Sequence, residues 1–375
     1  MSYQKNARAV RFFAKVMKFS SWLQTIPNRL TPAPFRLIQI GSAFWQSRAL
    51  YVATRLDLAT VLGAESMDIT RLAALVEANP DALGRLLRLL IAMGIFEEAA
   101  PGAFRNNKLS AFLRKDLPTN VRAMILMHNS EAMSVPWYGQ LERGVREGIP
   151  PFFLAHGEEL FPFLDHHADL DALFSEAMNN VEALTGDSFA TDFDWSRFDR
   201  IIDVGGSRGA KSLAILKRYP HLTALVVDRP RVIADARHYW AAHGTDGVER
   251  LHFEVRDFLE SVPPAQSEKD VYLLSAVLHG FDNDTCVTIL GILAGACRTN
   301  GARIALLEIV LPEVHADLNG ALFDMQMFMG SQGRLRTLSE WKSLFVRSGL
   351  MLEEVVGLQS FGNILVVCPA KTMAV

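Results

Sequence analysis

Cysteine is scarce in this chain: Cys286, Cys297 and Cys368 are the only three in 375 residues. Three scattered thiols cannot supply a disulfide framework or a four-cysteine zinc site. No metal is therefore expected, and a reducing, cytoplasmic home is the simplest reading. Long apolar runs are also lacking. No stretch of about 18 uninterrupted apolar residues occurs, and the candidate at 302–311 is broken by Glu308, so no membrane span is expected. The first residues lack the small-residue cleavage site of a secretory signal. Nor is there an excess of positive charge. With 38 basic against 41 acidic residues the net charge is -3, which argues against a general nucleic-acid binder held by phosphate contacts. What the chain has is apolar content, 50% against 21% charged, which excludes a wholly disordered polymer. Its length, set against a prior of roughly 150 residues per domain, predicts two or more folding units.

Four regions follow from the patterning: an arm at 1–40, a small domain at 41–119, a helical region at 120–195 and a larger domain at 196–375. Within the first 25 residues, Lys5, Arg8, Arg11, Lys15 and Lys18 alternate with Val10, Phe12, Phe13, Val16, Phe19 and Trp22. This is a basic amphipathic helix, able to lie on an anionic membrane surface or to pack on a partner subunit or the body of the protein. A helix is expected over 44–62, a second over 69–78 behind Asp68 or Thr70 as cap, and a third from Asn79-Pro80 to Gly94 with Leu83, Leu86, Leu87, Leu90 and Met93 on one face. A small hairpin turning at 100–102 comes next. Three helices and a hairpin make a winged-helix pattern. Ala82, Arg85, Arg88 and Ala92 on the third helix give it little base-reading capacity, so dimerisation or scaffolding fits better than DNA binding. Residues 120–187 read as helical and rich in large apolar side chains, among them Met124, Met127, Trp137, Phe152, Phe153, Phe161, Phe163, Phe174 and Met178. Some of these are core and some could wall a pocket for a flat apolar ligand.

Beyond Trp195 short apolar runs alternate with helices, the mark of a parallel sheet with crossover helices. Strands are expected at 200–204, 223–227, 251–255, 271–277, 303–310, 351–357 and 363–368. The last two are too close for a crossover helix and must form an antiparallel hairpin. The first strand runs into Asp203-Val204-Gly205-Gly206-Ser207-Arg208-Gly209, a glycine-rich turn before a helix that lets backbone approach a bound nucleoside. Asp228 ends the second strand, placed to accept from ribose hydroxyls. The spacing does not match G-x-G-x-x-G, and a sheet ending in an antiparallel hairpin departs from the dinucleotide fold, so both count against NAD. Asp257-Phe258 could meet an adenine ring, or equally be a helix cap and a core aromatic. His279 should stand at the mouth of the strand-end crevice, where an imidazole suits a general base. Glu308, ending the fifth strand, would either orient that ring or be a solvated strand end.

With these residues in view the chain resembles the class I S-adenosylmethionine-dependent small-molecule O-methyltransferases, which include plant caffeate and flavonoid enzymes and bacterial polyketide, phenazine and carotenoid enzymes. The likeness runs over 44–369. It is carried by Trp137, Gly148, Gly157, Phe161 and Phe174 to Met178, then Asp203 to Gly206, Asp228-Arg229-Pro230, Asp257-Phe258, Leu278-His279, Glu308, and Arg336-Thr337 to Trp341. The resemblance implies an α/β fold: a Rossmann-like methyltransferase sheet with an antiparallel last hairpin, preceded by a mostly helical winged-helix dimerisation domain, assembling as a homodimer. It implies S-adenosyl-L-methionine as cofactor, held by Gly205, Gly206, Ser207, Asp228, Arg229, Asp257, Phe258 and Ser275. His279 would be the base, supported by Glu308, and Trp137, Phe161, Phe174, Met178, Met325 and Met329 would line the substrate pocket.

The chain departs from the family at several positions. The Asp after the histidine is Gly280, the Trp is Phe281, a following Asp is Asn283, the third glycine of the turn is Ser207, and the Glu before Arg336-Thr337 is Leu335. One of two carboxylates flanking the base is thus replaced. The expected function is methyl transfer to a hydroxyl of an aromatic or polyene molecule. The alternatives are the same fold and cofactor running hydroxylation, decarboxylation or a pericyclic step, and a winged-helix regulator that senses a small molecule.

Overall fold

The computed structural model describes residues 2–184, 186–360 and 362–370. The chain divides into two compact units, Phe19–Gly186 on one hand and Met1–Lys18 with Asp187–Val375 on the other.

In the first unit, sequence cues set the helix starts. Asp68 accepts from the backbone N–H of Thr70 to cap the helix Ile69–Leu75, and Asn79 accepts from Ala82 to cap Pro80–Ala92, with proline at its first position. Leu83, Leu87 and Leu90 are buried on one face of that second helix. Its end leads into strand β2 (Phe96–Ala100), which turns back as β3 (Ala103–Asn106), and a two-residue strand β1 (Met67–Asp68) pairs with β3. Helices and hairpin follow one another in the expected order.

The single helix expected over 44–62 is two, Phe44–Arg55 and Leu58–Leu62. Asp57 breaks it by taking a positive φ of 58°, which aspartate tolerates better than most residues. Its carboxylate is held there by Arg122 at 2.7 Å, Lys115 at 2.9 Å and the Thr60 hydroxyl at 2.7 Å. Two of these partners lie about sixty residues away, beyond any local reading. The region 120–187 is helical as expected through five segments, Arg122–His128, Glu131–Glu147, Pro151–His156, Leu160–His166 and Ala168–Leu184; Thr185 lies outside the described residues.

The second unit is built on a seven-stranded sheet. Its strands are β4 (Arg200–Val204), β5 (Thr223–Asp228), β6 (Leu251–Val255), β7 (Asp270–Ser275), β8 (Arg303–Glu308), β11 (Leu350–Gly357) and β12 (Asn363–Pro369), in the order β11-β12-β8-β7-β4-β5-β6. β12 runs antiparallel to both of its neighbours, β11 and β8, and β11 with β12 is the expected end hairpin; its turn includes Phe361, outside the described residues. Successive side chains alternate between two cores, as the period of two requires. Ile201, Val226, Leu273, Ile364 and Val366 face one with Phe193 and Trp195. Ile202, Val204, Val227, Leu274, Leu306 and Val367 face the other with Leu290 and Trp341. Two expected strands were too long. The run 271–277 stops at Ser275 because Ala276 takes a positive φ of 57°. The run 303–310 stops at Glu308, and Val310–Leu311 forms a separate strand β9 paired in parallel with β10 (Arg336–Thr337).

The chain winds outward from β4 in both directions, to β5 and β6 on one side and to β7 and β8 on the other. The carboxyl ends of β4 and β7 therefore flank a topological switch point, where open α/β sheets bind their ligands.

Candidate active site

The turn after β4 is forced into shape by its own side chains. Gly205 has φ +71°, and a Cβ there would sit 3.0 Å from Val277 Cγ2 and 3.6 Å from the Phe258 ring. Gly206 admits no side chain, since a Cβ would stand 2.4 Å from Asp203 Cγ. Asp203 accepts from the Ser212 hydroxyl at 2.6 Å, tying the turn to the helix Ala210–Arg218. Ser207 adopts φ +53°, unusual for a residue with a Cβ. Its N–H donates to Asp228 Oδ2 at 3.0 Å, while the Arg229 N–H donates to Oδ1 at 2.8 Å. Asp228 is nearly buried, yet a carboxylate has about four acceptor positions and the backbone uses two. The remaining lone pairs suit a diol.

Across the switch point, Ser275 ends β7 and its hydroxyl is buried with no partner among the described residues. Unspent polar capacity beside a strained Ala276 is what a ligand site leaves open. A glycine that must have no side chain, a carboxylate with free lone pairs and an unsatisfied hydroxyl together fit a polar nucleoside lying over β4, β5 and β7. Phe258 faces Gly205 and meets Phe281 edge to face at 6.2 Å, and it also packs against the hydrophobic core. Asp257 accepts from the Leu259 N–H at 2.9 Å in an exposed turn, as a cap would.

The second half of the site is the loop 275–281. Glu308 is buried, not solvated. Its Oε2 accepts from His279 Nδ1 at 2.8 Å and its Oε1 from the Leu278 N–H at 3.0 Å. Burial alone pushes the His279 pKa down, but the charge of Glu308 and its hydrogen bond outweigh this, with Arg336 opposing, and the net shift is upward. Because an ionised carboxylate only accepts, Nδ1 carries the ring proton and Nε2 the lone pair. The Phe323 ring packs edge-on against the imidazole, centroids 5.5 Å apart.

Sequence reasoning treated Arg336 as a landmark and missed what it does. Its guanidinium is wholly buried and donates to Leu278 O at 3.2 Å, Phe281 O at 2.8 Å, Arg334 O at 3.2 Å and Asn283 Oδ1 at 2.9 Å. Desolvation lowers its pKa, and the Trp341 ring lies 5.2 Å from it. Gly333 was missed as well: a Cβ there would stand 2.3 Å from His279 O, so the segment leading into β10 lies directly on the histidine backbone. Nothing local in the sequence marks either. Leu335, replacing the family's second carboxylate, is 2% exposed and donates its N–H to Asp324 Oδ1 at 2.7 Å.

Of the substrate-side residues, Met325 and Met329 share the helix Leu318–Gly330 with Phe323, Met325 half-buried and Met329 buried. Trp137, Phe161, Phe174 and Met178 belong to the other unit, where Phe161 and Met178 are exposed and Phe161 meets Phe174 edge to face at 6.1 Å.

Residues 138–351 match the family model of the O-methyltransferase domain, and residues 38–116 match that of the O-methyltransferase dimerisation domain. The chain is 30% identical over 331 residues to the phenazine O-methyltransferase PhzM of Lysobacter antibioticus, covering 88% of this chain and 95% of that protein. It is 29% identical over 342 residues to the 8-amino-8-demethylriboflavin N,N-dimethyltransferase of Streptomyces davaonensis, covering 90% and 95%. Among solved structures, CalO1, a methyltransferase in calicheamicin biosynthesis solved in its SAH-bound form, superposes with a TM-score of 0.77 at 29% identity, covering 90% of this chain and 98% of that one. A strand-end site of this geometry and matches that span both halves of the molecule lead to one conclusion: the chain belongs to the S-adenosylmethionine-dependent O-methyltransferases that carry an N-terminal dimerisation domain.

Proposed function

We propose that this enzyme moves the methyl group of S-adenosylmethionine to a hydroxyl of an aromatic or polyene small molecule, with His279 as general base. The observation that carries the reading is the buried His279–Glu308 pair, which presents a proton-accepting Nε2 beside the switch point. When bound, the cofactor supplies an electrophilic methyl carbon on a positively charged sulfur. The Gly205–Gly206 turn and Ser207 admit it closely, Asp228 and Arg229 take its sugar side, Asp257 and Phe258 its base, and Ser275 offers the unpaired hydroxyl. A phenol resembles the Tyr side chain in acidity, with a pKa of about 10, and at neutral pH it is a weak nucleophile. His279 removes its proton, and Glu308 stabilises the imidazolium that results. General-base help of this kind contributes on the order of 10² to 10⁴ in rate. Met325 and Met329 share a helix with Phe323, which packs on the imidazole, and this supports a role for them on the substrate side. Phe161, Phe174 and Met178, with Trp137, offer apolar surface suited to a flat molecule.

The enzyme works as a homodimer. In support, the dimerisation model begins at residue 38, and the helix Ala33–Gly41 buries none of its residues while exposing Phe35, Leu37, Ile38 and Ile40. Incubation with methyl-labelled S-adenosylmethionine and a panel of phenols tests the reaction: label should enter product, and His279→Ala should cut transfer at least ~10²-fold. Undiminished transfer in that variant would remove the histidine from the chemistry. A second reading, non-methylating chemistry on the same cofactor, draws on Leu335 in place of an acid and on Gly280, where a Cβ would meet nothing within 4 Å. A product without the label, formed with the cofactor unconsumed, would favour it.

A further inference from the structure

The N-terminal arm is anchored at its base and bare along its length. Tyr3 is buried against Phe193 and Phe198, with ring centroids 5.4 and 6.0 Å away, and the Arg197 guanidinium lies 4.0 Å over its ring. The Gln4 side chain pairs with both backbone groups of Gly357, at 2.9 and 3.0 Å, and Lys5 bridges to Asp194 at 3.0 Å. From this anchor rises the helix Ala7–Leu30. Val10, Phe13 and Met17 share one half-buried side. A different side exposes Phe12 (70%), Val16 (45%), Phe19 (59%) and Leu23 (43%), with Trp22 (50%) beside them. The spacing i, i+4, i+7, i+11 places those four in one stripe. Arg8, Arg11, Lys15 and Lys18, also exposed, form a second stripe; three of them directly precede an apolar member and so lie about 100° round the helix from it.

Apart from Lys5, which is paired with Asp194, this charge has no acid near it in the sequence. Lys5, Arg8, Arg11, Lys15, Lys18, Arg29, Arg36, Arg48 and Arg55 all precede the first carboxylate in the sequence, Asp57. The helix also lies ahead of residue 38, where the match to the dimerisation model starts.

We infer that this helix docks the enzyme on an anionic lipid bilayer, its Phe12–Leu23 stripe entering the headgroup boundary and its basic stripe meeting lipid phosphates. An apolar strip beside a cationic one is the pattern of an interfacial helix, whose binding combines buried apolar area with attraction to negative lipid. A second copy of the same face is a poor occupant, because it would bring two all-cationic stripes together with no acid on either. A nucleic acid would satisfy the charges and leave the Phe12–Leu23 stripe in water. The inference is independent of the reaction proposed above.

Flotation of the full chain with vesicles tests it. Phosphatidylcholine vesicles containing about 30 mol % phosphatidylglycerol should carry the protein at about 0.05 M salt and release it at about 0.5 M, where screening is short-ranged, and pure phosphatidylcholine should carry little. Each basic side chain near an anionic surface contributes roughly a factor of five, so R11E/K15E should lower partitioning at least about 30-fold. F12S/F19S should also lower it, with far-ultraviolet circular dichroism and the mass by light scattering unchanged in both variants. Failure of the native chain to float on the anionic vesicles, or equal flotation of R11E/K15E, overturns the inference. So does conversion of a dimer to a monomer by F12S/F19S, which would give the stripe to a second copy.

Discussion

The glycine turn and the histidine loop close two adjacent strands, β4 and β7, but they are held in different ways. The turn at 205–209 is fixed by partners close in sequence: Asp203 beneath Gly206, and Asp228, 21 residues from the Ser207 N–H it accepts. The loop at 275–281 is fixed from afar, by Glu308 at a separation of 29 residues and by Arg336 at 58. One half of the site is a property of a strand-turn-helix unit. The other exists only once the far side of the sheet has assembled, so damage to it should cost more stability.

Removal of Arg336 should produce the largest effect. Arg336→Ala strips hydrogen bonds from Leu278 O, Phe281 O and Arg334 O. Leu278 O keeps the Phe281 N–H at 3.2 Å, but Phe281 O loses its guanidinium donor, which costs about 1–3 kcal/mol, and the emptied guanidinium site adds a cavity, so a loss of about 3–5 kcal/mol is expected in urea unfolding. A variant that unfolds at the native urea concentration would mean that the loop does not depend on this clamp. Gly206→Ala probes the local half. A Cβ pressed on the Asp203 carboxyl should cost about 1–3 kcal/mol, as overpacking does, and weaken S-adenosylmethionine binding in calorimetry. If it destabilised more than Arg336→Ala, the contrast between the two halves would be reversed.

The same contrast explains what could be read from the sequence. The seven strands, the end hairpin, the glycine turn, Asp228 and the caps at Asp68 and Asn79 follow from periodicity and turn chemistry, which act over a few residues. His279 was placed by the rule that strand ends make the site. The helix break at Asp57, the clasp at Tyr3 and Gln4, and the grip of Gly333 and Arg336 on the histidine loop were not legible, because each depends on a partner fifty or more residues distant. Glu308 falls between: its position at a strand end was visible, its burial was not.

A pH profile sharpens the comparison further. The His279 pKa lies above its ordinary value, so the unprotonated base is populated only above that raised value, and the acid limb of kcat/KM should sit above about 6.5. The pair's contribution to stability is fully present below the ordinary value and is lost as pH rises through the raised one. Glu308→Gln removes the charge that lifts the pKa and leaves burial and Arg336, which both lower it. The acid limb should then move to lower pH and the alkaline loss of stability should disappear. A limb that stays in place would show that it reports another group.

The smallest change should come from Asn283→Asp, and its value lies in its sign. Arg336 is buried, and its side-chain acceptor at 2.9 Å is the neutral amide of Asn283, where the family carries aspartate. Its positive charge works against protonation of His279. An aspartate of nearly the same shape would accept the same N–H as a charge-assisted bond and, at the first turn of the helix Asn283–Arg298, would also suit the helix dipole. With Arg336 neutralised, less opposes the imidazolium, and the acid limb should move to higher pH, opposite to Glu308→Gln, with the alkaline plateau of kcat nearly unchanged. Opposite shifts in these two variants would mean that Arg336 and Glu308 act on His279 through charge. A shift in Glu308→Gln alone would reduce Arg336 to a mechanical clamp on the loop, with its charge screened from the base by the carbonyls it holds.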